Sequence, residues 1–457
     1  MSFQLTLLQT FHGLQPVFAR GGGGGSSSGG SGGGLGLAAV GYFPAYYAAN
    51  WTLKRKTKGL AILAGSIVGL IVTGLCMFGG AGFGIIVGIG AAIGVHSGIN
   101  NYLSRLFKKT KATQAAIQHA ASQDPAWHAE ALTSRISEVF YKFQADWSTF
   151  NVQSMRTYTS DRFYNHMYLM MVALGQLKRQ NAVNNPRLLK SDIIDAVDAA
   201  DNAGDGFTAY VNGVANDSLI DTAARQTIYT DRMPFVEFWH FKRQGNDWVL
   251  DYIGQATEDI GMLRAGMQHF AQQNGMYYSP DMGWLLLPQR GQLFGKAEFK
   301  NSDVNNHIIG NWNSVIVQMY TYIPRKNADS RVEYLIGQVN LPKSYGGILI
   351  RRKASGLGDW HLPDISAWRR RRQYQKVSME WPDFNKHYTV SATDMDKVTS
   401  FELLNPGFMA YLYDAGLNIS IEVVDNIVYF YTRGQSKQAD YAKMLTVLQK
   451  AFKELER

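Results

Sequence analysis

Only one cysteine, Cys76, occurs in the 457 residues. That excludes an intrachain disulfide and any cysteine-rich metal site, and no redox chemistry follows. Also missing are a Gly-rich nucleotide loop followed by Lys-Ser/Thr, a His-Glu-x-x-His pair, a Gly-x-Ser-x-Gly elbow and a calcium loop. The Gly/Ser tract 21–34 imitates a phosphate loop in composition alone, because it has no preceding strand and no Lys. No cofactor and no metal are expected.

Charge is missing from the stretch Leu60–Ile99, which holds no Asp, Glu, Lys or Arg. Lys54, Arg55, Lys56 and Lys58 precede it; Arg105, Lys108, Lys109 and Lys111 follow. A continuous helix of that length rises nearly twice the hydrocarbon thickness of about 30 Å, so the run is better cut at Gly79-Gly80. The expectation is a transmembrane helical hairpin of Leu60–Phe78 and Ala81–Ile99, with both basic ends on one side. Within it Gly80, Gly84 and Gly88 recur every fourth residue, and Gly90, Gly94 and Gly98 do so on a shifted face. Small residues at that spacing let helix backbones approach, within the chain or against another copy. The alternative is that glycine is simply common in such segments.

The net charge of +9 is partly accounted for by these flanking bases, which anionic lipid attracts, so nucleic acid is not expected as a partner. Residues 1–19 form a mildly apolar, signal-like segment ending Val17-Phe18-Ala19, without the basic start that a secretory signal needs. Residues 21–34 read as a flexible tether. Tyr42, Tyr46, Tyr47 and Trp51 then gather before the bases, as an interfacial aromatic stretch or a third short span over 35–51.

After the apolar run the pattern becomes that of a folded region, 113–258. Pro125 follows Ser122-Gln123-Asp124 as a helix start, and Leu132, Ile136, Val139, Phe140 and Phe143 have helical spacing. Further helices are expected from residue 151 or 152 to Tyr158 and from Asp161 toward Arg179. The period then changes to strands over 189–199, 207–215, 233–242 and 247–255, with a hairpin signal at Gly245-Asn246-Asp247. Helices followed by an antiparallel sheet make an α+β layout.

This region resembles the Tim44-like domain. The resemblance is carried by Asp124-Pro125-Ala126-Trp127, by the run from Phe140 to Trp147, by the run from Met155 to Tyr164, and by Phe238-Trp239-His240-Phe241 with the run from Trp248 to Ile253. It implies an NTF2-like cone, helices on a curved antiparallel sheet around an apolar pocket, used for binding rather than chemistry. The pocket candidates are Trp147, Tyr158, Phe163, His166, Met170, Tyr210, Trp239 and Tyr252. The family's best-known member tethers a chaperone to an import channel through a long charged N-terminal region. This chain lacks that region, which leaves a general adaptor role. The groups that acid–base chemistry in the cone would draw on are Asp146, Tyr158, Asp161, His166, Tyr210, His240 and Asp251, and their spacing matches no catalytic constellation. No catalytic residue is assigned.

A helix over 259–273 and a Gly/Pro-rich break to 292 lead into a second α+β domain, 293–457. Strands are expected at 315–323, 331–339, 347–352 and 388–392, with a helix over 401–415. A hairpin follows around Asp425-Asn426, and the last helix runs over 439–456 with Tyr441, Leu445, Leu448 and Phe452 on one face. This region is similar to a bacterial domain of unknown function, through Gly310-Asn311-Trp312, Tyr320-Thr321-Tyr322, Phe384-Asn385-Lys386 and the run from Leu404 to Phe408. Arg369, Arg370, Arg371 and Arg372, among Trp360, Trp368 and Tyr374, are the most basic point of the chain, suited to lipid headgroups or an acidic protein, forming a solvated loop, or, as the least favoured reading, taking nucleic-acid phosphates with a stacked base.

The leading functional expectation is a membrane-anchored binding or scaffold protein at the cytoplasmic face of a bacterial inner membrane, or a mitochondrial one. Its expected partners are anionic lipid, an unidentified protein or peptide, and other copies of itself. The alternatives are an oligomeric channel or transport subunit assembled through the Gly-rich hairpin, and an enzyme on an apolar substrate in the cone.

Overall fold

The computed structural model describes residues 40–49, 58–77, 81–255, 262–279, 282–287, 294, 304–323, 333–341, 344, 346–353, 374–393, 404–414, 419–433 and 438–455. The N-terminal segment and tether, Lys54, Arg55, Lys56, Gly80 and Arg369–Arg372 lie outside them. The chain divides into two compact units. The first comprises 1–137, 187–214 and 233–248; the second comprises 138–186, 215–232 and 249–457.

Three helices open the described chain: α1 over 40–49, α2 over Lys58–Met77 and α3 over Ala81–Ala121. They pack through glycine. A Cβ on Gly65 would lie 2.9 Å from Ala49 of α1 and from Val95 of α3, and one on Gly69 would lie 2.9 Å from Ala91. On Gly41 it would overlap the Val87 carbonyl, and on Gly94 the Tyr42 carbonyl, so these backbones touch without side chains between them.

The expected transmembrane hairpin is not upheld. Among the described residues no helix is long and apolar enough to cross a membrane. Helix α2 begins at Lys58-Gly59, and its apolar part, residues 60–77, rises about 27 Å, under a hydrocarbon core of about 30 Å. The apolar start of α3 does not stop near Ile99 but runs as one helix through Asn100, Asn101, Arg105 and Lys108 to Ala121. The fold class is therefore α+β, without the spanning element.

A short 3-10 turn, Pro125–Trp127, is capped by the Asp124 carboxylate, which accepts from Ala126 N–H at 2.9 Å. Helix α4 (Ala129–Thr149) follows, then α5 (Val152–Met155) and α6 (Asp161–Gln176). Ser160 caps α6 through its Oγ, 3.1 Å from Phe163 N, and its own N–H donates to Leu250 O. The first sheet contains β1 (Arg179–Val197), β2 (Gly206–Asp221), β3 (Gln226–Asp231), β4 (Phe235–Gln244) and β5 (Asp247–Gln255) in the order β1-β2-β4-β5, with β3 on β2. In the first unit, Trp248 packs on Trp127 at 4.8 Å and on Phe207 at 5.0 Å, and donates from Nε1 to Ala126 O at 3.0 Å.

The second sheet has nine antiparallel strands. After α7 (Met262–Gln273) come β6 (Tyr277–Ser279), β7 (Val304–Trp312), β8 (Val315–Tyr322), β9 (Tyr334–Asn340), β10 (Gly347–Arg352) and β11 (Tyr374–Val377). Then follow α8 (Pro382–His387), β12 (Tyr388–Thr393), α9 (Pro406–Asp414), β13 (Ser420–Val424), β14 (Ile427–Arg433) and α10 (Gln438–Leu455). The order is β11-β12-β10-β13-β14-β9-β8-β7-β6. One face of this sheet is apolar and joins α7, α9 and α10 in a single core containing Val317, Met319, Val428, Phe430, Tyr441 and Leu448. Gly337 makes the close approach: a Cβ there would lie 2.8 Å from Met444 Sδ and 3.0 Å from Leu448. The other face carries the buried polar side chains, set among Ile309, Ile316, Ile336 and Leu349.

Candidate functional site

Cross-strand pairing aligns one residue from each of the nine strands along that polar face. Tyr277 pairs with Ile309, Ile309 with Gln318, Gln318 with Gln338, and Gln338 with Tyr429. The row continues from Tyr429 to Glu422, Leu349, Ser391 and Lys376. Paired residues share a face, so this row brings amide, phenol, carboxylate and hydroxyl groups into one track, interrupted by Ile309 and Leu349. Its middle is buried, with Gln318, Gln338 and Tyr429 at 0% exposure and Glu422 at 1%, while Tyr277 at one end is half-buried and Lys376 at the other is exposed.

A buried polar side chain costs stability unless it is hydrogen-bonded, and most of this track is. Tyr320 OH donates to Gln338 Oε1 at 3.0 Å, Gln338 Nε2 to Asn340 Oδ1 at 2.9 Å, and Asn340 Nδ2 to Gln176 Oε1 of α6 at 2.7 Å. Phe294 lies over Tyr322 and Tyr429, with ring centroids at 5.0 and 5.1 Å. Burial pushes the Tyr431 phenol up to about 12, against the guanidinium of Arg351, which favours its ionised form.

Two histidines sit at the β6 end. His307 and Gln318 Oε1 are 2.9 Å apart through Nε2, which assigns the ring proton to Nε2 and leaves Nδ1 facing Ser279 Oγ at 3.4 Å. Burial lowers His307 to about 4, with the Gln318 hydrogen bond acting the other way. His166, on α6, stacks on Tyr277 with centroids 5.6 Å apart, and burial lowers it to about 3, with smaller effects from His307 and Arg162. Both imidazoles are neutral at ordinary pH. Among the described residues His166 Nε2 and Gln318 Nε2 have no hydrogen-bond partner.

The pocket candidates from the sequence fall in both units. In the first, Trp239 is buried and donates to Glu237 at 2.9 Å, and Tyr210 is half-buried beside Phe238. In the second, Phe143 joins Trp147 and Phe163 at 6.3 and 5.9 Å, Trp147 donates to Asn181 Oδ1 at 2.7 Å, and Met170 is fully buried. Tyr158 OH donates to Asp146 Oδ2 at 2.9 Å; burial first, then that carboxylate, raises its pKa well above the usual phenol range. His166 is at the polar track, and Tyr252 is half-buried in β5. Of the groups considered for acid–base work, Asp161 is exposed beside Arg156, and His240 Nδ1 lies 2.9 Å from Thr208 Oγ1.

Of the basic residues, Lys58 is the first residue of α2 and Lys108 and Lys109 lie within α3. Of the expected packing glycines, Gly84 faces Met77, Gly88 faces Thr73 and Gly94 faces Tyr42, while Gly90 and Gly98 are buried in α3.

The opposite side of α2 is open. Ile62, Leu63, Ile67, Leu70, Ile71, Leu75 and Met77 are each 43–72% exposed, and Ile85 and Ile89 on α3 are each 56% exposed. At about 100° per residue, the exposed α2 positions sweep roughly 220° of its circumference, and the buried glycines Gly65 and Gly69 fall in the remainder.

No family model matches the chain, and no curated protein matches it. Among solved structures it is similar to the crystal structure of the mycobacterial trehalose monomycolate transport factor A, TtfA. That similarity has 13% identity and a TM-score of 0.30, and spans 43% of this chain and 94% of that one.

Proposed function

We propose that the protein is a binding or scaffold protein held at a lipid surface by the exposed apolar side of α2. The observation that carries this is the width of that side. A single docking helix covers a narrow stripe of its partner, whereas roughly 220° of exposed Leu, Ile and Met matches a surrounding apolar medium. Helix α2 enters that medium along its length rather than crossing it, as interfacial helices do. Lys58 begins α2 and Arg105, Lys108 and Lys109 belong to α3, a supply of positive charge for anionic headgroups on this reading.

On this reading the region 113–258 is a Tim44-like binding module presented at the lipid surface to a protein or peptide partner. Its support is the order of elements, helices α4 to α6 followed by strands β1 to β5 with β3 and β4 antiparallel to β2, together with the residue runs quoted above. Flotation of the purified full chain with vesicles of neutral and of anionic lipid tests the proposal. Flotation that survives high salt is expected. A chain that stays at the bottom of both gradients overturns it. The companion variant Leu70→Gln/Ile71→Gln/Leu75→Gln is expected to lose flotation while keeping its circular dichroism.

A further inference from the structure

We propose that α6 and the β6–β8 end of the polar row enclose a binding site for one small, neutral, hydroxyl-bearing molecule, held by Gln318 and His166. Both side chains are at least nine-tenths buried, and each ends in a nitrogen with no partner among the described residues. A buried polar nitrogen left unpaired costs stability, so two such atoms, one on α6 and one on β8, point to a shared partner.

The sheet register says where that partner lies. Tyr277 and Gln318 flank Ile309 in the same row, so their Cα atoms are two strand spacings apart, roughly 9.6 Å. The His166 ring is stacked over Tyr277, and the Gln318 amide is turned toward His307 by its Oε1. A molecule of one to a few non-hydrogen atoms lying over Ile309 is of a size to meet both nitrogens. Gln318 Nε2 donates, so the molecule presents an acceptor oxygen. His166 Nε2 takes or gives the second hydrogen bond according to its tautomer, and a hydroxyl serves either case. The neutral rings of His166 and His307, the Ser279 hydroxyl and the Tyr277 ring offer a charged ligand no counter-ion. Arg162 is the neighbouring cation, its charge lowering the His166 pKa, and with the Gln272 amide turned to face it the guanidinium donates to that side-chain oxygen.

Water and a small alcohol or polyol share this chemistry, and the test separates them. A high-resolution crystal structure of the full chain is expected to show density within about 3.2 Å of both nitrogens. Mass analysis of the denatured, extracted protein then finds an equimolar organic molecule or none, and either result with density supports the site. A dry, close-packed gap between His166 and Gln318 overturns it. His166→Phe, which breaks no hydrogen bond among the described residues, gives an independent reading at pH 8, where the ring is neutral folded and unfolded. With the site occupied the variant melts roughly 1–2 °C lower, whereas in a dry site removing the unpaired ring nitrogen raises the midpoint.

Discussion

Arg243 Nη1 lies 2.6 Å from the Asp124 carboxylate, joining the end of β4 to the residue that caps the 3-10 turn before α4. The same guanidinium is 3.5 Å from Asp205, donates from Nε to Gly245 O at 2.9 Å and sits over the Trp248 ring. Arg243 and Asp205 are buried, so removing the cation leaves Asp205 as an uncompensated interior charge. Arg243→Met is expected to destabilise the protein by about 3–5 kcal/mol in urea unfolding. A loss below about 1 kcal/mol would show that the clasp is not structural.

The same clasp sets an acid response. The side-chain hydrogen bond from Arg243, then that from Ala126 N–H, hold the Asp124 carboxyl below its usual value. A depressed carboxylate stabilises the fold above the unfolded pKa of about 3.9, and that contribution is lost as pH falls through the folded value. Asp124→Asn should therefore narrow the stability difference between pH 6 and pH 3. An unchanged difference contradicts the assignment.

His166 and His307 act over a higher range. Each folded value, about 3 and about 4, lies below the unfolded value of about 6.5, so the unfolded state takes up protons first as pH drops. Stability is full above pH 6.5 and falls by about 1.4 kcal/mol per pH unit for each histidine down toward the folded values. His166→Phe should flatten the slope between pH 6 and pH 4.5 by about one histidine's worth. A slope identical to that of the unaltered chain would show that the ring is not buried neutral.

How far the sequence foretold this arrangement differs between elements. The helical spacing of Leu132, Ile136, Val139, Phe140 and Phe143 reads directly as α4, and all five are buried. The hairpin of β13 and β14 turns at Asp425, which takes φ +55° beside Asn426, as the local turn chemistry suggests. Strand β7 escaped because Asn306, at φ +53°, bulges the strand and breaks its alternation. Strand β6, at three residues, is too short to show a period. The polar track was not legible at all. Gln318, Tyr320, Gln338 and Asn340 alternate with Val317, Met319, Leu335 and Val339 as a half-solvated strand does, and only the covering by α6 and Phe294 makes them interior. The apolar run was plain in the sequence, but its helix limits were not, because nothing at Ile99 stops α3.

The glycine contacts of α1 make a steric prediction. Gly41→Val places side-chain atoms where the Val87 carbonyl and Ala91 N already lie, so α1 must leave its seat on α3. Faster trypsin cleavage in the basic segment 54–58 is expected, with cleavage after Lys190 in β1 unchanged. Equal rates at both places would contradict the packing.

Contact between the open side of α2 and lipid is read by a nitroxide label at Leu70, which is 72% exposed. In the vesicle-bound chain, collisions with dissolved oxygen are expected to exceed those with a water-soluble nickel complex, while a label at the exposed Lys190 shows the reverse. Nickel accessibility at Leu70 equal to that at Lys190 would contradict it.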